Sequence, residues 1–222
     1  MREGGAARSS LSSMRRHNPE VSARVAFAIT LLVAPGTTFA VDAAVPRTPR
    51  PATLVLHRAD LGAAYAGRGA RVGNAAAARG APTGFAAKLA SWGRIDGYEV
   101  DFTRRTGSLQ DGPLEIKSAA NVYRSTAGAR TAFAYARVHL VPRGYVPLAL
   151  GVPLGDEARQ WVSQGESGLG TLLSYVVIWR EHNVDASIVL TGRVGVVSAA
   201  DIAPLAQKQD SRIRAALHLQ RR

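Results

Sequence analysis

Two apolar runs, Leu172 to Arg180 and Val184 to Arg193, constrain the fold more than any other feature of the chain. Only Glu181-His182-Asn183 separates them. So short a connection joins antiparallel neighbours, since parallel strands need a long crossover. Asn183, which tolerates a left-handed backbone, is the residue expected to make the turn. The chain is thus expected to be built on an antiparallel sheet.

A second hairpin lies upstream. Tyr98, Val100 and Phe102 alternate with Glu99, Asp101 and Thr103, the period of a half-buried strand. Leu114 to Tyr123 follows across a turn at Gln110-Asp111-Gly112-Pro113. Short strands are also predicted at Thr53 to His57 and Arg159 to Ser163, and a loop or weak helix over the Gly/Ala/Arg-rich residues 62–82. Three helices are predicted. Phe85, Leu89 and Trp92 share one face of the first, which Gly93 ends. Ser125 or Thr126 caps the second, with Ala129, Ala132, Phe133, Ala136 and Leu140 on its inner face. Ser198 and Asp201 form a capping box for the third, which carries Ile202, Leu205, Ile213 and Leu217. The order is roughly β-α-β-β-α-β-β-β-α. This predicts an α+β fold, a mostly antiparallel sheet with helices packed on one side.

The N-terminus reads as an address. Five arginines precede the ten-residue apolar run Val25 to Ala34, and Thr38-Phe39-Ala40 offers small residues where a signal peptidase cuts. Residues 1–40 are therefore read as a secretory signal peptide, with Ala43 an alternative cut and Met14 an alternative start. A run of this length falls short of the ~30 Å of a bilayer core at 1.5 Å per residue, which argues against an uncleaved anchor. Residues 41–52, with three prolines, are read as an extended tether and 53–222 as a single domain. The protein is expected to be extracellular or in the cell envelope. Cysteine is absent, so an exported domain must hold together by packing alone. The formal net charge of +12 falls to +9 beyond residue 40, and only three of the 28 basic residues are lysine.

The cadence of the second half is distinctive. Asn121-Val122-Tyr123 ends a strand before a helix bearing Ala129 and Phe133. Leu154-Gly155-Asp156-Glu157-Ala158, Val177-Ile178-Trp179-Arg180, Asn183-Val184 and a terminal helix from Leu205-Ala206 to Arg212-Ile213 follow. Residues 95–217 resemble exported actinobacterial α+β domains, including mycobacterial LpqN-type lipoproteins and the extracellular sensor domain of a serine/threonine kinase. The chain lacks the acylated cysteine of the former and the disulfide cysteines of the latter. The resemblance implies a non-catalytic, envelope-facing binding or interaction domain.

No motif specifies catalysis or a cofactor. Gly67-Arg68-Gly69-Ala70-Arg71-Val72-Gly73 has glycines near a dinucleotide spacing, but no strand is predicted before Gly67. Gly165-Glu166-Ser167-Gly168 lacks the last glycine of a nucleophile elbow, because Leu169 stands there. No two histidines stand at ligand spacing. No cofactor or metal is therefore expected. A ligand pocket or surface is expected to involve Trp179 and Arg180, with Trp92, Trp161 and Tyr123. The candidate partners are a small apolar ligand, an envelope protein, or an anionic polymer or membrane surface met by arginine. Nucleic acid is disfavoured by export and by sparse aromatics. A hydrolase reading would require His57, His139 or His182 to meet a serine and an acid.

Overall fold

The computed structural model describes residues 48–79, 83–141 and 144–218, excluding the Leu140 side chain. The signal reading and the start of the tether lie outside these residues. Seven strands form one sheet: β1 Tyr65–Arg71, β2 Arg94–Arg104, β3 Glu115–Tyr123, β4 Val146–Leu148, β5 Glu157–Ser167, β6 Gly170–Glu181 and β7 Val184–Arg193. Their spatial order is β1-β2-β3-β7-β6-β5-β4, and every pairing is antiparallel. The helices are α1 Asn74–Ala77, α2 Phe85–Ser91, α3 Thr126–Tyr135 with a π-helical extension Ala136–Leu140, and α4 Ala199–His218. The α+β class and the antiparallel sheet are as expected.

The helices divide between the two faces of the sheet, where the sequence reading packed them on one side. Alternate residues of β6 point to opposite faces, and both sets are apolar. Val177 and Trp179 join Ile188, Leu190, Phe102, Ile116 and the α4 residues Ile202, Ala206 and Ile213 in the main core. Val176 and Ile178 pack instead with Phe133 and Ala136 at α3, and with Trp161. A strand apolar on both sides needs cover on both sides. Phe85, Leu89, Trp92, Tyr123 and Ala129 form a further cluster where α2 meets α3.

Caps predicted from sequence form. Ser125 Oγ accepts from Gly128 N at 3.1 Å, and Asp201 Oδ2 accepts from Ser198 N at 2.7 Å. A buried polar link pins α4 to the sheet: Ser118 Oγ donates to Gln209 Oε1 at 2.7 Å and accepts from Leu56 N at 2.9 Å. Gln209 Nε2 donates to Ala119 O at 2.9 Å.

The N-terminal third differs from expectation. Leu54, Val55 and Leu56 are fully buried but form no strand, following a 3₁₀ turn at Pro51–Thr53. Pro49 is buried, so packed structure begins within the segment read as tether. The first strand is β1, in the glycine-rich stretch read as a loop or weak helix, of whose described residues only the short α1 is helical. Its glycines make room for aromatic rings on β2. A Cβ at Gly67 would lie 2.5 Å from the Phe102 ring, and one at Gly69 would collide with Tyr98. At the β6–β7 turn, His182 takes the left-handed backbone (φ +51°) rather than Asn183. The Asn183 side chain is used elsewhere, its Nδ2 donating to Tyr123 O at 2.8 Å.

Candidate functional site

The densest chemistry surrounds the β6–β7 turn. Arg180 stands opposite Asp185 on β7 and Glu157 on β5. The Leu154-Gly155-Asp156 segment crosses the end of β6, with Asp156 N donating to Arg180 O at 2.7 Å. Gly155 permits this approach. Its φ is +51°, and a Cβ would collide with the carbonyl oxygen of Arg180. Arg180 Nη1 then lies 2.6 Å from Asp156 Oδ2, and Nη2 lies 3.0 Å from Glu157 Oε1. Nη1 also donates to His182 O at 3.0 Å. The guanidinium is buried, while each carboxylate side chain remains about a third exposed. Burial works against the Asp156 carboxylate. The His182 amide and Arg180 outweigh it and lower its pKa.

Beneath Arg180 the network turns inward. Asp185 is buried and bonded to the Tyr123 hydroxyl. Its Oδ1 has no hydrogen-bond partner. Burial pushes this carboxyl well above the usual range, against the opposing pull of Tyr123, Arg180 and Arg94. Burial, reinforced by Asp185, also pushes the Tyr123 hydroxyl well up. Arg94 enters from β2. Its Nε and Nη2 donate to Asn121 Oδ1 at 3.0 and 2.7 Å, its Nη1 to Asn74 Oδ1 at 2.8 Å, and its Nη2 to Val72 O at 2.7 Å. Gly97 leaves the space this guanidinium crosses, since a Cβ there would strike Arg94 Nη2. Asn121 and Asp185, paired across β3 and β7, line a cavity of about 10 Å³ with Phe133, Ala136 and Ile178. That is about the space of one water molecule.

On the α4 side of the turn, ligand atoms of Asp156, Glu181 and His182 lie within 4.8 Å of one another. Arg214 Nε lies 2.8 Å from Asp210 Oδ2 and 3.4 Å from Glu181 Oε2. Burial raises the Glu181 pKa; Arg214 opposes it, and Asp156 and Asp210 add to it. The inner oxygen of Asp156 already holds a guanidinium and an amide. A divalent cation there would face the resident charge of Arg180, so the arrangement is that of an ion-pair network.

The sequence-derived candidates are dispersed. Trp179 lies in the main core, Trp161 in the α3-facing cluster, and Trp92 and Tyr123 in the α2–α3 cluster. Only Tyr123 and Arg180 approach a common group, Asp185. The network members missed by sequence reading are Asp185, Asp156, Asn121 and Arg94. A two-residue turn at His182-Asn183 places Arg180 across from Asp185, and a charged residue inside the otherwise apolar start of β7 is the signal that was available. Of the histidines, His182 Nε2 lies 3.4 Å from Glu181 Oε1 and His139 stacks on Tyr135. The Ser167 hydroxyl serves the hairpin, donating to Gly170 O and accepting from Leu169 N.

No protein-family model matches the chain, and no curated protein matches it. Among solved structures, the chain is similar to the extracellular domain of PknH from Mycobacterium tuberculosis. Identity is 12%, the match covers 76% of this chain and 97% of that one, and the TM-score is 0.48. No helix among the described residues is long and apolar enough to cross a membrane.

Proposed function

We propose that this chain is an exported, envelope-facing domain that works by binding and not by catalysis. One observation carries the reading: the fold turns its buried ionisable groups onto partners inside the protein. Arg180 is paired with Asp156 and Glu157, Asp185 with Tyr123, and Arg94 with two asparagines and a carbonyl. Such a network fixes one arrangement of strands and loops, the use to which polar networks inside proteins are put. The basic stretch, apolar run and small-residue site of residues 1–40 support export. The role left to the surface is contact with a partner.

The test is to express a C-terminally tagged chain in a bacterial host and fractionate the cells. The expected product lies outside the cytoplasm and begins at Val41 or Ala44. A full-length product confined to the cytoplasm would overturn the export reading. Turnover of ester, peptide or glycoside substrates that disappears in His182→Ala would overturn the non-catalytic reading.

A further inference from the structure

Helices α1, α2 and α3 form a layer without acids. Residues 61–95 and 116–155 hold ten Arg and Lys and no Asp or Glu. The fold brings the two stretches together: Ala77 of α1, Phe85 and Leu89 of α2, and Ala129 and Ala132 of α3 share one apolar cluster. The outer surfaces of these helices therefore form one face. Ala127, Arg130, Ala134 and Arg137 are exposed at the spacing of a single helical stripe. The two arginines are roughly 10 Å apart along the axis, with only alanine between them on that stripe. Arg124 stands beside the end of α2, since a Cβ at Gly93 would lie 3.3 Å from its own Cβ. Arg79 is exposed just after α1. On α2, the half-buried Lys88 lies one turn before Trp92, whose ring is 6.1 Å from Tyr135 of α3. Lys88 Nζ is withdrawn from solvent and has no hydrogen-bond partner. An ammonium so placed is costly unless an anion answers it.

The acids bordering this face are answered by other cations. Asp96 Oδ2 lies 2.6 Å from Arg71 Nε, Asp156 and Glu157 hold Arg180, and Glu157 Oε1 also lies 4.0 Å from Arg130 Nε. Asp185, buried beneath, is set against Arg94. These pairings leave Arg79, Lys88, Arg124 and Arg137, and among the described residues none of the four has a carboxylate within 4.0 Å. Further along the same side of the sheet, Glu99, Asp101 and Glu115 stand with Lys117 and Arg68. Lys117 lies 3.7 Å from Asp101 and 3.2 Å from Glu115, and Arg68 is opposite Asp101 in register. That group carries one excess negative charge, so the side as a whole stays cationic.

We infer that this face binds a linear phosphate polymer, laid across the α1–α3 layer with its phosphates met by Arg79, Lys88, Arg124 and Arg137. The export reading above places that polymer in the cell envelope; the binding itself stands on the charge of the face. Charge complementarity selects a polyanion, and the guanidinium fork of arginine matches phosphate. A lipid surface fits less well. Val138 is the one exposed large aliphatic residue on these helices among the described residues, and membrane attachment needs a broad apolar face. Nucleic acid fits less well too, because Trp92 is buried and Tyr135 stacks on His139, which leaves neither ring free for a base.

The experiment is titration of the full chain with long-chain inorganic polyphosphate. Orthophosphate, poly-L-glutamate, single-stranded DNA and phosphatidylglycerol vesicles serve as competitors. Polyphosphate is expected to bind most tightly, and its affinity should fall as salt rises. Orthophosphate should bind roughly a hundredfold or more weakly, since it engages one cation at a time. R79Q/R124Q/R137Q should bind polyphosphate roughly tenfold or more weakly, with a shallower salt dependence. The control R50Q/R58Q/R105Q removes the same charge from exposed positions elsewhere and should bind nearly as the parent does. Lys88→Met should weaken binding while the thermal midpoint stays at or above that of the parent, because the unpartnered ammonium is gone. Each variant is checked by circular dichroism, and all should keep the parent's spectrum. No polyphosphate binding, an equal loss in the control, or a triple variant that binds as the parent does would overturn the proposal. So would tighter binding of DNA, poly-L-glutamate or vesicles than of polyphosphate. These outcomes are independent of fractionation, so an exported protein that ignores polyphosphate rejects the assignment of this face alone.

Discussion

Two buried positions show how single residues decide this fold. Gln209 is fully buried on the inner face of α4, where a helical stripe would place an aliphatic residue. Its amide answers Ser118 on one side and Ala119 O on the other. Gln209→Leu leaves the Ser118 hydroxyl proton without its acceptor and removes the side-chain donor to Ala119 O, and equilibrium denaturation should show a loss of about 1–3 kcal/mol despite the gain in apolarity. Gly155 acts through its backbone. Gly155→Ala imposes a left-handed conformation on a residue with a Cβ and drives that Cβ into the Arg180 carbonyl. A loss of about 2 kcal/mol or more is expected. Asp156 should move with it, so the Asp156–Arg180 pair should loosen in a crystal structure of the variant.

At the scale of elements, legibility in the sequence follows how local the determining interaction is. The β6–β7 hairpin, the Ser125 cap and the α4 stripe are written in neighbouring residues, and each was readable. β1 was not. Its glycines weaken a strand considered alone, and become intelligible only beneath Phe102 and Tyr98 some thirty residues away. Leu54 to Leu56 likewise read as a strand because they are apolar, yet Leu56 N bonds to the side chain of Ser118 on β3 and not to a backbone carbonyl of a neighbouring strand. Of the ion-pair network, Arg180 and Tyr123 stood out by residue type, whereas Asp185 and Arg94 gained meaning only from register. Gly67→Val tests the account of β1. Its side chain would displace the Phe102 ring, so amide exchange across Tyr65–Arg71 should speed up while the β6–β7 amides stay protected.

For the whole molecule, carboxylates with opposite pKa displacements shape stability against pH. Asp60 is buried against Arg212, whose Nη1 and Nη2 lie 2.5 and 2.7 Å from its oxygens. Burial opposes its charge, but Arg212, the His57 amide and Lys208 lower its pKa below 3.8. The unfolded chain therefore holds more protons just below the ordinary carboxylate range. The stabilisation is complete above that range and disappears as pH falls through the folded pKa. Asp185 behaves in reverse: with its pKa raised, the folded state keeps the proton longer, and stability falls as pH rises above 3.8. Denaturation measured across pH should show Asp60→Asn flattening the acid limb and Asp185→Asn flattening the decline above it. The strand order has a further consequence, for how the chain assembles. β1-β2-β3 and β4-β5-β6-β7 are two meanders with short-range pairings, and the β3–β7 seam joins distant parts of the chain. Closing that seam carries the long-loop entropy and should limit the folding rate. Ser118 on β3 and Gln209 on α4 belong to opposite sides of it, so their hydrogen bond forms only when the halves dock. A chain severed between Val141 and Gly144 should leave two fragments that reconstitute one sheet when mixed, at a rate that rises with their concentration.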